Sequence, residues 1–339
     1  MRISPVGYNR CPYNAVSKKN ISNQPSFTSI FADAKPETER AYAYYTLMSP
    51  DFSKLKGSST RIFRELPAQL SIAKLLNPDK KTHIKVLGVS DGSEAFAYAI
   101  ALKEAMGDKA KENVRITGVD IQKPLIECAK TGRIVCSDIE RKYANDYEKD
   151  MGKSPIGGDN WEKYLKKTER PQEFNALIQK YPYLIYMEND PVVGKKIGRG
   201  LDWYEVNKEG LPEISFEAGD MRDYFTSTDD VEQEVYVVAN SAAYLAESSP
   251  DDYIDMFRKI AEENKGKNKD VYIVTGSVEG KLVNPKYSKT IGISRQAQEK
   301  IKSAIANSGF ENVSEFKLRK KGIIPCKETS TLIYKMQNK

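Results

Sequence analysis

From residue 84 onward, short runs of branched and apolar residues alternate with stretches whose apolar positions recur every three or four residues. The runs I-K-V-L-G-V (84–89), V-R-I-T-G-V-D (114–120), I-S-F-E-A (214–218), E-V-Y-V-V-A (234–239) and D-V-Y-I-V-T-G (270–276) read as strands. Helical spacing marks 93–106, 124–130, 251–263 and 294–308. Strands alternating with helices imply a mostly parallel sheet covered on both faces. The chain closes differently, with strands N-V-S-E-F-K-L (312–318) and S-T-L-I-Y-K-M (330–336) joined by an eleven-residue loop. Without a helix between them, these two must pair antiparallel or sit apart.

Ahead of this pattern, residues 1–33 are rich in Asn, Ser, Pro and Lys and read as a flexible tail. Segments 34–48 and 61–76 have helical spacing, the second with Pro67 early in it, so 34–80 forms a helical lead-in. The remainder, 81–339, is expected to form one α/β domain. Between 133 and 212 the alternation stops, and this Lys-, Glu- and Tyr-rich insertion is expected to be mainly helical.

Composition narrows the chemistry. The 339 residues are 40% apolar and 29% charged, as in ordinary soluble domains. No run of about 18 apolar residues is present, and M-R-I-S-P-V-G-Y-N-R-C lacks a signal-peptide core, so a cytoplasmic protein with no membrane span is expected. Cys11, Cys128, Cys136 and Cys326 are scattered, with no C-x-x-C pair, and read as reduced thiols. The net charge of +6 invites nucleic acid, but the basic residues are interspersed with 47 acids, and a solvated surface is the better account. His83 is the only histidine, at a strand entrance where a structural role is expected. Histidine-dependent hydrolases and metal sites fall with it.

The turn after the first strand reads Gly88-x-Ser90-x-Gly92 and runs straight into a helix. Small residues let backbone approach a ligand, and the helix start offers unpaired N–H groups. Asp120 at the tip of the second strand can accept from both hydroxyls of a ribose. Thirty-two residues separate Gly88 from Asp120, against about 20 in the dinucleotide fingerprint. Glu94 on the helix's first turn would repel a pyrophosphate and suit a cationic ammonium group. These details favour S-adenosyl-L-methionine over a nicotinamide cofactor. Asp220 follows the third strand, where an acid could accept from an adenine amino group, and Asn240 and Tyr244 follow the fourth. Five parallel strands, a helix and a terminal hairpin also match the seven-stranded class I, Rossmann-like methyltransferase layout better than a dehydrogenase.

With those residues placed, the chain resembles the CheR-type family, the chemotaxis receptor glutamate methyltransferases, over most of 55–280. S-S-T-R-I-F-R-E (58–65) is similar to the family's segment ending T-x-F-F-R. G-V-S-D-G-S-E-A-F-A-Y-A (88–99) resembles G-C-S-T-G-E-E-P-Y-S-x-A, and G-V-D-I-Q-K-P-L-I-E-C-A-K-T-G-R-I (118–134) resembles T-D-I-D-x-x-x-L-x-x-A-x-x-G-x-Y. I-S-F-E-A-G-D-M (214–221) is similar to V-x-F-x-x-x-N-L, and V-V-A-N-S-A-A-Y-L (237–245) to F-C-R-N-V-L-I-Y-F. The resemblance implies that Ser58, Thr60 and Arg64 line the methionyl end of the cofactor, with Arg64 on its carboxylate. It also implies that Met221 and Ser241 stand beside Asp220 and Asn240 in the site. Where the family has arginine before Asn240 this chain has Ala239, and Ser93 replaces the first glutamate of G-E-E. In the family a small β-subdomain falls within the region of the insertion.

Methyl transfer from a sulfonium to a carboxylate needs positioning and exclusion of water but no general base, which fits a chain with no histidine to spare. Tyr244 is the residue expected to face the methyl group or orient the acceptor. The expected activity is methylation of a carboxylate oxygen on a protein or small acid. The alternative, favoured by Ala239 and Ser93, is an impaired relative that binds cofactor or a partner protein without turnover.

Overall fold

The computed structural model describes residues 62–63, 66–136, 159–180, 202–239, 241, 250–275, 295–314 and 331–337. Helix α1 (Leu66–Leu75) precedes β1 (Thr82–Leu87), α2 (Ser93–Met106), α3 (Asp108–Asn113), β2 (Val114–Asp120) and α4 (Lys123–Thr131). The insertion carries β3 (Arg133–Cys136), α5 (Asp159–Tyr164), β4 (Leu165–Thr168), α6 (Gln172–Lys180) and β5 (Asp202–Val206). Then come β6 (Glu213–Ala218), β7 (Gln233–Val238), α7 (Pro250–Asn264), β8 (Asp270–Thr275), α8 (Arg295–Asn307), β9 (Phe310–Asn312) and β10 (Leu332–Met336).

Seven strands form one sheet in the order β6-β2-β1-β7-β8-β10-β9. The pairs from β6 through β8 are parallel, whereas β10 runs antiparallel to both β8 and β9. This order, with its reversed strand next to the edge, is that of the class I methyltransferase fold. The terminal hairpin read from the sequence forms with Tyr334 opposite Asn312, although β9 starts two residues earlier than its sequence signal. The tail and the 34–48 helix lie outside the described residues.

The insertion, expected to be mainly helical, holds among the described residues two helices and also a three-stranded antiparallel sheet, β3-β5-β4, that the pattern did not announce. Strands of four or five residues such as L-K-K-T are too short to show a period. What anchors the sheet is aromatic. Trp161 is edge-on to Phe63 at 5.8 Å and to Tyr204 at 5.9 Å, and Phe174 is edge-on to Trp203 at 4.8 Å. Such pairs add about 0.5–1.5 kcal/mol each beyond the area they bury.

β1 and β7 are buried along their whole length, so each contributes to two cores. Ile84, Val86, Val235 and Val237 face a core shared with α1 and α2. Helix α2 is buried on every side from Ser93 to Leu102, which alanines at 95, 97, 99 and 101 permit by letting neighbours approach closely. On the other face, Leu87, Tyr236 and Val238 pack against Tyr253, Phe257 and Ile301 of α7 and α8.

The crossover from β6 to β7 contains only a 3-10 turn, Met221–Tyr224, followed by a loop. Polar residues on the strands beneath hold that loop down. Lys85 Nζ lies 2.8 Å from Glu234 Oε1, with both side chains nearly inaccessible, and donates to the Thr226 carbonyl. The Tyr236 hydroxyl donates to the same carbonyl at 2.9 Å. His83 completes the network. Its Nδ1 is 2.9 Å from Thr228 Oγ1, which donates to Glu234, and its Nε2 is 2.9 Å from Thr117 Oγ1. Burial, helped by the nearby Lys85 and Arg115 charges, lowers the His83 pKa to about 4. The single histidine is thus a neutral structural group at the amino end of the sheet, as its position at a strand entrance implied.

Candidate active site at the strand ends

Ligands of open α/β sheets sit outside the carboxyl ends of the strands. At that end, the amides of Gly88 and Val89 both donate to the Val119 carbonyl, at 2.8 and 2.9 Å, which carries the β1–β2 pairing into the turn. Three turn residues have positive φ: Gly88 at 83°, Ser90 at 55° and Gly92 at 87°. Glycine adopts this conformation freely, whereas Ser90 adopts it at a cost on the order of 1 kcal/mol. The Ser90 conformation accompanies a hydrogen bond from its amide to Asp120 Oδ2 at 2.8 Å.

The two glycines are required by the protein as well as by any ligand. A Cβ on Gly88 would lie 2.7 Å from Ser241 Cβ, and one on Gly92 would lie 2.9 Å from Ala129 Cβ and 3.0 Å from the Phe216 ring. Ser241 is buried against Gly88 and donates to the Leu87 carbonyl at 2.6 Å, so the turn after β7 is stapled to the end of β1.

Three carboxyl groups surround this turn. Asp120, 8% exposed, accepts from Ser90 through Oδ2 and from the Gln122 amide through Oδ1 at 2.9 Å. Burial raises its pKa while the two amides lower it. Asp91, 2% exposed, accepts from the Ser93 amide at 3.0 Å. Burial, together with the neighbouring Asp120 charge, pushes its pKa up to about 6 against the lowering effect of Ser93. Glu94, 3% exposed, stands on the first turn of α2. Among the described residues, no cation forms a salt bridge with Asp91 or Asp120.

Asp91 was assigned no role in the sequence, yet its signal is local. An Asp two residues before an amide at a helix start commonly folds back on that amide. The sequence reading placed Asp220 near an adenine, and the structure gives its carboxylate another partner. Asp220 caps the 3-10 turn and takes the Arg222 backbone amide at 3.0 Å and the Arg222 guanidinium on both oxygens. Met221 is half-buried against the α7 core. Gly88, Ser90, Gly92, Glu94, Asp120 and Ser241 come together at the ends of β1, β2 and β7. Ser58, Thr60, Arg64, Asn240 and Tyr244 lie outside the described residues. Among the described residues, no helix is long and apolar enough to cross a membrane, and no group of acids, cysteines and histidine has the makeup of a metal site.

The residues present fit S-adenosyl-L-methionine. Each Asp120 oxygen has spent one of its two acceptor directions, leaving one apiece for vicinal hydroxyls. Buried carboxylates at Asp91 and Glu94 suit a ligand that brings positive charge and oppose one that brings phosphates.

No family model matches the chain, and no curated protein matches it. Among solved structures it is similar to the mitomycin 7-O-methyltransferase MmcR, with 11% identity over 94% of this chain and a TM-score of 0.38. The chain spans 62% of the length of that protein. Its likeness to the plantazolicin methyltransferase BpumL in complex with SAH has 10% identity, covers 90% of this chain and 92% of that one, and has a TM-score of 0.36. Human N-acetylserotonin methyltransferase in complex with SAM is 10% identical over 93% of this chain and 60% of its own, with a TM-score of 0.37. At such scores the fold assignment rests on strand order and direction, which are those of the class I methyltransferase sheet.

Proposed function

We propose that the protein is an S-adenosyl-L-methionine-dependent methyltransferase of CheR-like type, acting on a carboxylate oxygen of a protein or small acid. The observation that carries this reading is the acid-lined turn at the ends of β1 and β2, within a sheet of class I methyltransferase order. The substrate class comes from the resemblance in the sequence. When bound, the cofactor supplies an already activated methyl group on a sulfonium. Asp120 would accept from the ribose hydroxyls, and the Gly88–Gly92 turn would bring backbone against the ligand. Asp91 and Glu94 would provide negative charge at the helix start. Positioning of this kind is worth about 7–11 kcal/mol of barrier in the best cases. Tyr244 would face the acceptor, and Ser58, Thr60, Arg64 and Asn240 would complete the pocket.

A specific observation favours a second reading, a protein that binds the cofactor or a partner without turnover. Ala239, 4% exposed, stands where the family has an arginine near the reacting centre, and Asp220 is occupied by Arg222. Calorimetric titration with adenosylmethionine and adenosylhomocysteine tests the binding step. Micromolar binding that Asp120→Ala abolishes in a folded sample supports the pocket, and methyl transfer to an acidic acceptor then separates the two readings. No binding of either compound to the folded wild type would sink the enzyme reading and leave only a partner-binding protein on the methyltransferase fold.

A further inference from the structure

Where the chain returns from the small sheet to the main one, it borders a half-open cavity of about 350 Å³. That is within the range of small-molecule sites, which run from about 300 to 1,000 Å³. The cavity lies along the outer strand β6, and none of its lining residues belongs to the acid-lined turn. Its apolar lining is Pro212, Ile214, Phe216 and the ring of Phe96, with Phe96 and Phe216 stacked obliquely at 5.5 Å. Lys130 and Lys208 also line it, and none of the lining residues is acidic.

The two ammonium groups differ in how they are held. Lys208 follows β5, and its Nζ lies 5.8 Å from the centre of the Phe96 ring. Its stem packs on the helix-ending Gly132, where a Cβ would come within 2.5 Å of Lys208 Cε. Among the described residues Lys208 forms no salt bridge, and the aromatic face is the group it is placed over. Lys130, in the last turn of α4, pairs with Glu127 at 3.3 Å with both side chains about half exposed. An exposed pair of that kind is worth a few tenths of a kcal/mol and yields readily to a better anion.

We infer that this cavity is a binding site for a small organic anion with a flat apolar body, such as an aromatic carboxylate. Pro212, Ile214 and the accessible edge of Phe216 would face the body, with Phe96 fully buried behind them, and Lys208 and Lys130 would meet the acid group. Charge complementarity selects the anion and the aromatic lining selects its shape. The inference stands whether or not the turn at the strand ends holds adenosylmethionine.

The test uses the full chain and two probes, 2-naphthoate and its neutral analogue 2-naphthamide, in calorimetric titration. The acid should bind about tenfold more tightly than the amide or better, the factor that one well-placed charge is worth at about 1.4 kcal/mol. Lys208→Glu should cost at least that factor for the acid, whereas Lys265→Glu, on an exposed lysine after α7, should leave it unchanged. Lys130→Glu provides a second charge reversal should Lys208→Glu fail to fold. Equal affinity for acid and amide, absence of naphthoate binding to the wild type, or naphthoate binding that survives both lysine reversals would overturn the assignment.

Discussion

Replacing Gly88 by alanine tests how the acid-lined turn is held together. Two costs add at this position. The residue sits at φ 83°, where a Cβ costs roughly 1–2 kcal/mol. The added methyl would also lie 2.7 Å from Ser241 Cβ, and relieving such an overlap in a packed site costs about 1–3 kcal/mol. Gly88→Ala should therefore destabilise by about 3 kcal/mol, read as a shift in the urea midpoint at constant slope. Ser241→Gly should cost about 1 kcal/mol, because it removes the hydrogen bond to the Leu87 carbonyl. In the double variant the overlap is gone while the φ cost and the lost hydrogen bond remain. The two effects should then fall short of additivity by about 1–2 kcal/mol, a coupling expected of residues in direct contact. If the single effects simply add to within ~0.3 kcal/mol, the contact between Gly88 and Ser241 is not what constrains the turn.

Lys85→Met leaves Glu234 buried without its cation, and should lose about 3–5 kcal/mol by urea denaturation; a loss near zero would mean that the loop over β1 is held by other groups. His83, neutral when folded down to about pH 4, takes up a proton in the unfolded chain below about 6.5, so it removes stability as the pH falls between those values. Integrated over that window the loss is roughly 3 kcal/mol, and His83→Asn should shrink the stability difference between pH 7 and pH 4 by an amount of that order. Asp91, with its pKa pushed up to about 6, becomes neutral as the pH drops through that value. Affinity for adenosylmethionine should decline over the same range, and Asp91→Asn should give a weaker but flatter profile in pH-resolved titration. An unchanged slope would remove Asp91 from the binding account.

The parts of the fold that were legible in the sequence are those that bury continuous apolar runs. β2 and α2 were located to the residue, because V-R-I-T-G-V-D ends on an acid and the S-E-A-F helix is bracketed by Gly92 and Gly107. The sequence signal of β1 covers 84–89, whereas the strand runs Thr82–Leu87: Thr82 and His83 do not look like strand interior, yet they and Lys85 are buried with the rest of the strand. The partners of His83 and Lys85, which are the Thr228 hydroxyl, the Thr226 carbonyl and Glu234, are about 150 residues away in sequence, and no local pattern carries that information. The three-stranded sheet of the insertion was hidden for the same reason. Trp161, Phe174, Trp203 and Tyr204 hold it through contacts between segments, while each strand alone is too short to show its period.

At the site, the sequence located the groups and the structure separates them by what they still have to offer. Asp120 and Asp220 look alike in the sequence, each an acid just past a parallel strand. A carboxylate has about four acceptor directions. Asp120 spends two of them on amides that close its own turn, one per oxygen, and keeps one per oxygen for a pair of hydroxyls. Asp220 takes the Arg222 amide and Nε on one oxygen, and Nε and the terminal guanidinium nitrogen on the other. Contact between Asp220 and an adenine amino group would have to displace a charge-assisted pair, which at a half-exposed position is a matter of about 1 kcal/mol. The same bonds that fix Asp120 in place leave it free to bind, whereas those of Asp220 must first be broken. On the proposed reading, this arrangement of acids suits a ligand anchored through its ribose and its cationic end better than one held through its adenine.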